Sequence, residues 1–498
     1  TPEGFTKIKE AMLAVDIDMY TECFILFDEC EKLVQDVHYR DSIREPMNDF
    51  FHFQHKALIS ATPIVPEKDN RFDSFMRVLI QPDYEYRQKL KLITTNNVLE
   101  TLQEVIEAKR GTVCIFCNSI DSIDSFYRLI PELNNACTFC SEDGQYKLWK
   151  GNRRKKSMMI TELERYNFFT SRFYSAVDII CKNPPHVILI SDLHGATQSV
   201  IDPTTEAIQI IGRFRGGVNT VTHIASIRPD LECMSANEID SWIQGASHIF
   251  NGWKIQLAQT SNIGERTLLQ EAIGENSYLP YLDANGKPDP FLIANLYEKE
   301  QVKRLYTSTD LLCSAYQQTD YFIFSHEERL MPVSDNERMA IQHRLAKKKR
   351  AELIVRKLEE MEKMSRTTDK KVQKRYQRML GNLLTTTNDR YIYDCFCRFG
   401  GDFIRESDYN ENKLRAALNV SSEHTIKQSV QMRSSIQRTF PIGSELSVQE
   451  VKSMLKQVYK KMGLNTGRGI TTKELEQYAE IEKGWKHDNR TIKTLKFK

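Results

Sequence analysis

Residues 24 to 31 read Phe24-Ile25-Leu26-Phe27-Asp28-Glu29-Cys30-Glu31, an apolar run that ends in two adjacent carboxylates. Similar short apolar runs recur at 57–59, 112–116 and 187–190, and stretches with helical periodicity separate them. Short, continuously apolar strands that alternate with helices are typical of a parallel sheet covered on both faces. The sequence therefore predicts an α/β fold up to about residue 230.

The second half of the chain has a different pattern. From residue 231 onward the strand signal fades and helical periodicity dominates. Residues 338–380 contain no Gly or Pro and are rich in Lys, Arg, Glu and Met, so we expect one or two extended helices there. Near the C-terminus, helices are predicted at Val448–Met462 and Thr471–Ile481, within a small helical or winged module.

The composition excludes several classes of protein. With 40% hydrophobic and 27% charged residues among 498, the chain is not a largely disordered one. No stretch approaches the ~18 continuous apolar residues that a membrane helix needs, so no membrane partner is expected. The net charge of +2 excludes a uniformly basic coat, although residues 344–378 hold 14 Lys or Arg against 5 Asp or Glu. Eleven cysteines scattered through apolar runs favour a reducing compartment, so we expect a cytoplasmic protein.

Two strand ends carry residues suited to catalysis. Asp28 and Glu29 follow the first apolar run, and Ser60 and Thr62 follow the run at 57–59. Paired carboxylates at the end of a buried strand are costly unless they meet a metal or a basic partner. Because the carboxyl ends of parallel strands meet at one edge of a sheet, we expect these four side chains to share that edge. An ordinary helix start and an ordinary turn are the alternative interpretations.

A third group combines an amide, a glycine and two arginines. Gln209 precedes Gly212, Arg213 and Arg215 in a stretch that also contains Gly216. Guanidinium groups bind phosphate oxygens in a fork geometry and stabilise the charge that develops in phosphoryl transfer. Surface arginines at a helix end are the alternative.

Taken in order along the chain, these groups resemble the motifs of the superfamily 2 helicases and translocases, whose core is two tandem RecA-like domains. The resemblance covers roughly residues 1–225. It matches Asp28-Glu29-Cys30-Glu31 to the DExx box of motif II, Ser60-Ala61-Thr62 to motif III, residues 113–118 to motif IV, residues 170–178 to motif V and residues 209–215 to motif VI.

The resemblance implies a role for each matching residue. Asp28 would bind Mg²⁺, Glu29 would be the general base, and ATP would lie between the two domains. Ser60 and Thr62 would couple the nucleotide site to domain movement. The nucleotide would be contacted from the second domain by Asp178, Gln209, Gly212, Arg213 and Arg215, one arginine acting as the finger. The nucleic-acid backbone would be contacted by Thr170 and by Thr1, in a remnant of motif Ib.

The resemblance also implies a division of the chain into six regions. In order, these are the C-terminal part of a first RecA-like domain at 1–75, a second RecA-like domain at 76–230, a helical accessory region at 231–337, a basic helical segment at 338–380, a helical region at 381–440 and the small C-terminal module at 441–498.

Two departures from the family pattern stand out. Motif VI usually places its last arginine three positions after the first, whereas Gly216 stands there and Arg215 comes one residue earlier. Which arginine is the finger is therefore open, and Arg213 is favoured. In addition, no Gly-x-x-x-x-Gly-Lys-Ser/Thr loop occurs in the sequence, and the family carries that loop upstream of motif II. We expect that a protein beginning at Thr1 starts inside the first domain and binds ATP poorly or not at all.

Two cysteine pairs have the spacing of a zinc ribbon. These are Cys114 with Cys117, and Cys137 with Cys140. Both pairs lie in apolar, β-rich runs, where residues i and i+3 point to opposite faces of a strand. We therefore expect buried, free cysteines and no zinc site.

The basic stretch suggests a nucleic-acid contact. It contains Lys347, Lys348, Lys349 and Arg350, around which acidic residues at helical spacing are scarce. An unbalanced cationic helix favours phosphate binding over a merely solvated face.

The sequence thus predicts an ATP-dependent helicase or translocase that moves along DNA in preference to RNA, because Asp-Glu-Cys-Glu departs from the DEAD tetrapeptide. Two alternatives stay open. One is a catalytically silent, helicase-like scaffold that binds nucleic acid, and the other is an ATPase motor coupled to a nuclease or restriction partner. Protein partners are not indicated.

Overall fold

In the computed structural model of the protein, the apolar runs pair as parallel strands, and the chain forms two compact units, residues 1–336 and 337–498. The structure describes residues 2–149, 155–160, 162–175, 177–283, 285–339, 346–365, 375, 378–379, 389–464, 466, 469–486 and 489–497.

The first unit alternates strands and helices. Its strands are β1 Phe24–Asp28, β2 His55–Ile59, β3 Gln88–Thr95, β4 Val113–Cys117, β5 Cys137–Phe139, β6 Lys155–Ser157, β7 Tyr166–Phe169, β8 His186–Ser191, β9 Thr220–Ala225 and β10 Phe322–Arg329. Its helices are α1 Phe5–Ala14, α2 Met19–Glu22, α3 Lys32–Gln35, α4 Met47–Phe50, α5 Val98–Glu107, α6 Ile120–Leu129, α7 Glu142–Trp149, α8 Glu206–Gly212, α9 Ala236–Gln259, α10 Ile263–Gly274, α11 Pro290–Leu305, α12 Thr309–Gln317 and, across the unit boundary, α13 Asp335–Met339.

These strands form two parallel sheets. β1 and β2 pair with each other, with Asp28 opposite Ile59. The other eight strands form one sheet in the order β10-β3-β9-β8-β4-β7-β5-β6, and every pairing in it is parallel. The predicted α/β class with a parallel sheet is confirmed.

The large sheet is buried on both faces. In β4, Cys114 and Phe116 lie in one hydrophobic cluster, while Val113, Ile115 and Cys117 lie in the other. Cys137 and Cys140 likewise belong to different clusters. The two members of each cysteine pair therefore point to opposite sides of the sheet, as strand geometry requires.

Local sequence signals fix several boundaries of this sheet. The side chain of Asn97 accepts a hydrogen bond from the backbone N–H of Glu100 at 2.9 Å and caps α5, at the predicted helix start. Gly111 has φ +91°, a conformation that glycine adopts without steric cost, and it lies two residues before β4.

One strand corrects the prediction of a wholly helical region at 231–337. β10 pairs along its whole length with β3 at the sheet edge, Phe322 opposite Gln88 and Arg329 opposite Thr95. Only Phe322 of this strand is buried, and its second half reads Ser-His-Glu-Glu-Arg. An edge strand with polar residues along one side gives little apolar signal, which is why the helical pattern concealed it.

The second unit is helical with a small sheet. Its helices are α14 Lys347–Ser365, α15 Arg390–Glu406, α16 Glu411–Lys427, α17 Val430–Thr439 and α18 Val448–Lys461. Its strands are β11 Glu445–Ser447, β12 Ala479–Lys486 and β13 Asn489–Phe497, antiparallel in the order β11-β13-β12. The helix predicted at Thr471–Ile481 is wrong: a 3₁₀ helix spans Thr472–Gln477, and β12 begins two residues later. Residues 441–498 contain the antiparallel pair β12–β13 beside α18, and the assignment of a helical or winged module stays a prediction.

The sequence also predicted domain boundaries within the first unit. The structure groups residues 1–336 into one compact unit, with the unit boundary next to the predicted one at 337. The boundaries at 75 and 230, and the assignment of two RecA-like domains, stay predictions.

Candidate functional site

The ends of β1 and β2 lie side by side, as expected. Asp28 is opposite Ile59, and the backbone N–H of Cys30 donates to the Ile59 carbonyl oxygen at 3.3 Å. Glu29 follows Asp28 with φ +55°, an uncommon conformation for a residue with a side chain. The Asp28 carboxylate accepts the N–H of Glu29 at 2.9 Å and is otherwise open to solvent. The acidic pair therefore forms a sharp turn at the end of the strand.

Gln209, on α8, binds both strand ends. Its Nε2 donates to Oε1 of Glu31 at 2.8 Å and to Oγ1 of Thr62 at 2.9 Å. Its Oε1 accepts from Nζ of Lys32 at 3.2 Å. We call the site formed by the ends of β1 and β2 and the C-terminal part of α8 the junction. It brings together the groups that the sequence placed in motifs II, III and VI.

Arg213 adds a guanidinium group to the junction. As the residue that follows α8, it lies with Nη1 3.7 Å from Oε1 of Glu29, and its Nε donates to the Gln209 carbonyl oxygen at 3.1 Å. The Arg213 side chain is 14% exposed and that of Glu29 37%. A carboxylate that can act as a base and an arginine thus face each other at a partly open position.

Ser60 shapes the turn after β2. Its hydroxyl accepts the backbone N–H of Thr62 at 2.9 Å, which holds Thr62 towards Gln209. Gly212 lies beside open space, because an added Cβ would meet no atom within 4 Å. Ser60 thus directly follows β2, and Gly212 is the last residue of α8.

Three predicted residues do not join the junction. Arg215 pairs with Asp178 at 2.9 Å, and both side chains are mostly exposed. Thr170 is 9% exposed, and its hydroxyl bonds the Phe139 carbonyl oxygen at 3.5 Å, so it does not present a hydroxyl to a phosphate here. Arg215 as a residue acting on the triphosphate, and Thr170 as a backbone contact, lack the expected geometry. Thr1 lies outside the described residues.

Several junction residues were not given a role from the sequence. Glu31 is 2% exposed, burial raises its pKa, and its Oε2 has no hydrogen-bond partner among the described residues. Gln35 donates to Thr205 at 3.1 Å and to Glu298 at 3.0 Å. Glu31 was visible as the fourth residue of the acidic motif, whereas Glu298 lies on α11, in a region without any functional signal.

Two buried carboxyls lie next to this network. Burial raises the pKa of Glu298 to about 7, and Gln35 and Lys32 counteract that rise. Burial also raises the pKa of Glu206 to about 7, while its carboxylate accepts the N–H of Asp202 at 2.9 Å. Helix α11 is thus bonded through Glu298 to the segment that follows the acidic motif.

The large sheet offers a second position for a ligand. β4 leads in sequence to β5 on one side and β8 to β9 on the other, so the strand order reverses between β4 and β8, the position at which open α/β sheets bind ligands. Asp192 lies there, 5% exposed, and accepts from the Ser122 hydroxyl at 2.9 Å and from the Gly195 N–H at 3.0 Å. A Cβ on Gly195 would lie 2.4 Å from Oδ2 of Asp192. Asp192 directly follows β8 and was not given a role from the sequence.

Metal binding at the junction would rest on few protein ligands. No group of three His, Cys, Asp or Glu side chains able to hold a metal occurs in the described part of the chain. Mg²⁺ commonly uses one or two carboxylates together with phosphate and water oxygens, and the solvent-facing Asp28 fits that mode.

The basic helix α14 has acidic partners that the sequence did not reveal. Lys347 pairs with Glu411 at 2.6 Å, Lys348 with Asp408 at 2.6 Å, and Arg350 with Asp389 at 2.7 Å. These carboxylates are 39 or more residues away in sequence. Among the described residues, three of these four cations are thus paired, so the N-terminal part of α14 is not the unbalanced cationic surface that the sequence suggested; the nucleic-acid contact stays a prediction.

Among the described helices, none combines the length and the apolar character needed to cross a bilayer. Comparison with known proteins does not assign the chain: no protein-family model matches it, and no curated protein matches it significantly.

Proposed function

We propose that the protein is an ATP-dependent helicase or translocase that acts on nucleic acid, DNA in preference to RNA. The observation that carries this proposal is the junction, where Glu29 and Arg213 face each other at 3.7 Å and Gln209 bonds Glu31 and Thr62. Acids at a strand end opposite an arginine are what phosphoryl transfer requires, because positioning and charge stabilisation do most of the catalytic work.

In this proposal the junction residues divide the chemistry among them. Asp28 would hold Mg²⁺, which supplies charge neutralisation at the phosphates when bound. Glu29 orients the attacking water and takes its proton, and Arg213 turns from Glu29 to the transferred phosphate. Arg213 is the finger in preference to Arg215, because Arg215 is held by Asp178 on the surface.

Gln209 would couple the nucleotide site to the rest of the first unit. Its amide bonds Thr62 and Glu31 on one side and the Lys32 ammonium on the other. A change at Arg213 would reach Gln209 directly, since Nε of Arg213 donates to the Gln209 carbonyl oxygen. This supports the coupling role proposed for Ser60 and Thr62.

Nucleic acid is proposed to lie at the carboxyl ends of β4 and β8. Ligands of open α/β sheets bind outside the carboxyl ends of the strands, where the strand order reverses. Gly195 is exposed at this position, and Asp192 fixes the loop that carries it.

ATP turnover by the full gene product, with and without single-stranded DNA, tests the proposal. We expect turnover that DNA stimulates and that Arg213→Ala abolishes. Undetectable turnover in both conditions would refute the motor and favour the silent scaffold. Turnover without strand separation or movement, which appears only with a nuclease partner, would favour the coupled motor.

A further inference from the structure

The C-terminal module, defined as residues 430–497, carries an excess of positive charge. Residues 430–497 contain 13 Lys or Arg and 7 Asp or Glu, whereas the whole chain has a net charge of only +2. The hydrophobic core of the module contains Leu455, Tyr459 and Ile492, so α17, α18 and the sheet pack around one centre.

Helix α18 places three lysines on one exposed face. Lys452, Lys456 and Lys460 follow one another at four-residue spacing, about 6 Å apart along the helix axis. The opposite face buries Val451 and Leu455. None of the three lysines takes part in an ion pair among the described residues, and like charges at this spacing repel one another. We call these three residues the lysine stripe.

The β12–β13 hairpin presents an exposed aromatic ring. Trp485 is opposite Arg490 in the hairpin, and the Arg490 guanidinium carbon lies 5.2 Å from the centre of the indole ring. Trp485 is 69% exposed, although tryptophan is usually mostly buried. An exposed ring held by a neighbouring guanidinium is a platform on which another flat group can stack.

We propose that the C-terminal module is a nucleic-acid-binding module, in which the lysine stripe contacts phosphates and Trp485 stacks on a base. Unpaired lysines bind a polyanion by releasing its counterions, and aromatic side chains bind bases of any sequence. The inference adds a nucleic-acid site to the proposed function, but it does not need ATP hydrolysis.

The chemistry favours nucleic acid over an anionic membrane. A helix that lies in a bilayer surface carries large apolar residues beside its cations. The lysine stripe is instead flanked by Gln449, Ser453 and Gln457, which offer nothing to insert.

The test is fluorescence anisotropy with the full chain and labelled 20-nucleotide DNA, single-stranded and duplex, over a range of salt and without nucleotide. Replacing all three stripe lysines by Gln should reduce the slope of log K against log salt by roughly 2 to 3, since each phosphate contact contributes about 0.7 to 0.9. Trp485→Ala should weaken single-strand binding roughly 5- to 150-fold at every salt concentration, with the slope unchanged.

Matched variants separate these effects from misfolding and from general loss of charge. Three exposed lysines of the first unit, Lys7, Lys182 and Lys287, are replaced by Gln as a charge-matched control, which should leave the slope unchanged. Replacing the stripe lysines by Arg should restore the slope, and Trp485→Phe should restore most of the affinity. Circular dichroism melts confirm that every variant is folded.

An unchanged slope in the Lys→Gln triple variant, or unchanged affinity in Trp485→Ala, would overturn the proposal. So would binding to vesicles with anionic lipid that is as tight as binding to DNA. The anisotropy experiment contains no nucleotide, so its outcome does not depend on ATP hydrolysis. Absent turnover in the separate ATP assay would therefore refute the proposed function and leave the DNA-binding result standing.

Discussion

Replacing Gln209 by Ala tests whether the junction is a built site. The change removes hydrogen bonds to Glu31 and Thr62 and the one from Lys32. It leaves Glu31, which is 2% exposed and already has one unpartnered oxygen, without its other partner. The lost bonds of Thr62 and Lys32 are worth about 1 kcal/mol each, and an unsatisfied buried acceptor on Glu31 costs about 1 to 3, so we expect a loss of about 3 to 5 kcal/mol in the free energy of unfolding.

The assay is urea unfolding combined with hydrogen exchange read by mass spectrometry. The urea midpoint of the first unit should fall, and exchange should rise first in the peptides that contain α3 and residues 60–62, next to the lost contacts. A double-mutant cycle with Thr62→Val isolates one bond, and its coupling energy should be about 0.5 to 1.5 kcal/mol. Gln256→Ala, at an exposed position of α9, is the control and should change stability by less than about 0.5 kcal/mol.

Gln209→Glu gives a second signature. This carboxylate keeps the size of the side chain but faces Glu31, so the two acids repel once both are ionised. The loss of stability should be larger at pH 8 than at pH 5. Two results would contradict this prediction: a Gln209→Ala protein as stable as the wild type, or a coupling energy near zero. Either would mean that the Gln209 contacts do not hold α8 to the ends of β1 and β2.

Three other predictions follow from the same structure. Arg213→Ala should lower ATP turnover about 10³-fold or more, whereas Arg215→Ala, which breaks only a surface pair, should lower it less than about tenfold; steady-state phosphate release measures both. Glu298→Gln should stabilise the protein more at pH 8 than at pH 5. The pKa of Glu298 is raised from 4.5 to about 7 in the folded state, so the wild-type protein loses stability as pH rises through that window. Urea midpoints at the two pH values should show that the variant lacks this loss. Gly195→Ala should destabilise the loop that follows β8 by about 1 to 3 kcal/mol, because the new Cβ would lie 2.4 Å from an Asp192 oxygen. Hydrogen exchange of that loop should rise. The control Gly252→Ala, on an open helix surface, should have no such effect.

Much of the fold was predictable, because the parallel strands are buried on both faces. Such strands read as continuous apolar runs, and β4 and β8 are buried at every position. β10 was not predictable on that basis, since it lies at an edge and buries only Phe322. The hairpin of the C-terminal module was missed for a similar reason, because four of the eight residues of β12 are charged and only Ala479 is buried.

The part of the junction formed by strand ends was predictable from the sequence. Strand-end residues such as Glu29 and Thr62 must meet at one sheet edge, and the structure brings them together with Gln209. Tertiary partners carry no local signal. Glu298 is 263 residues from Gln35 in sequence, and the carboxylates that neutralise Lys347 and Lys348 come from a distant segment. Local charge counting could not have found them.

The junction concentrates features that destabilise a fold. Glu29 has a left-handed backbone conformation, Glu31 is buried with an unpartnered oxygen, and Glu206 and Glu298 are carboxyls whose burial raises their pKa to about 7. The surrounding core could have used apolar residues at these places at lower cost. Strain and buried charge persist where function requires them, and here they surround Arg213 and the end of β1.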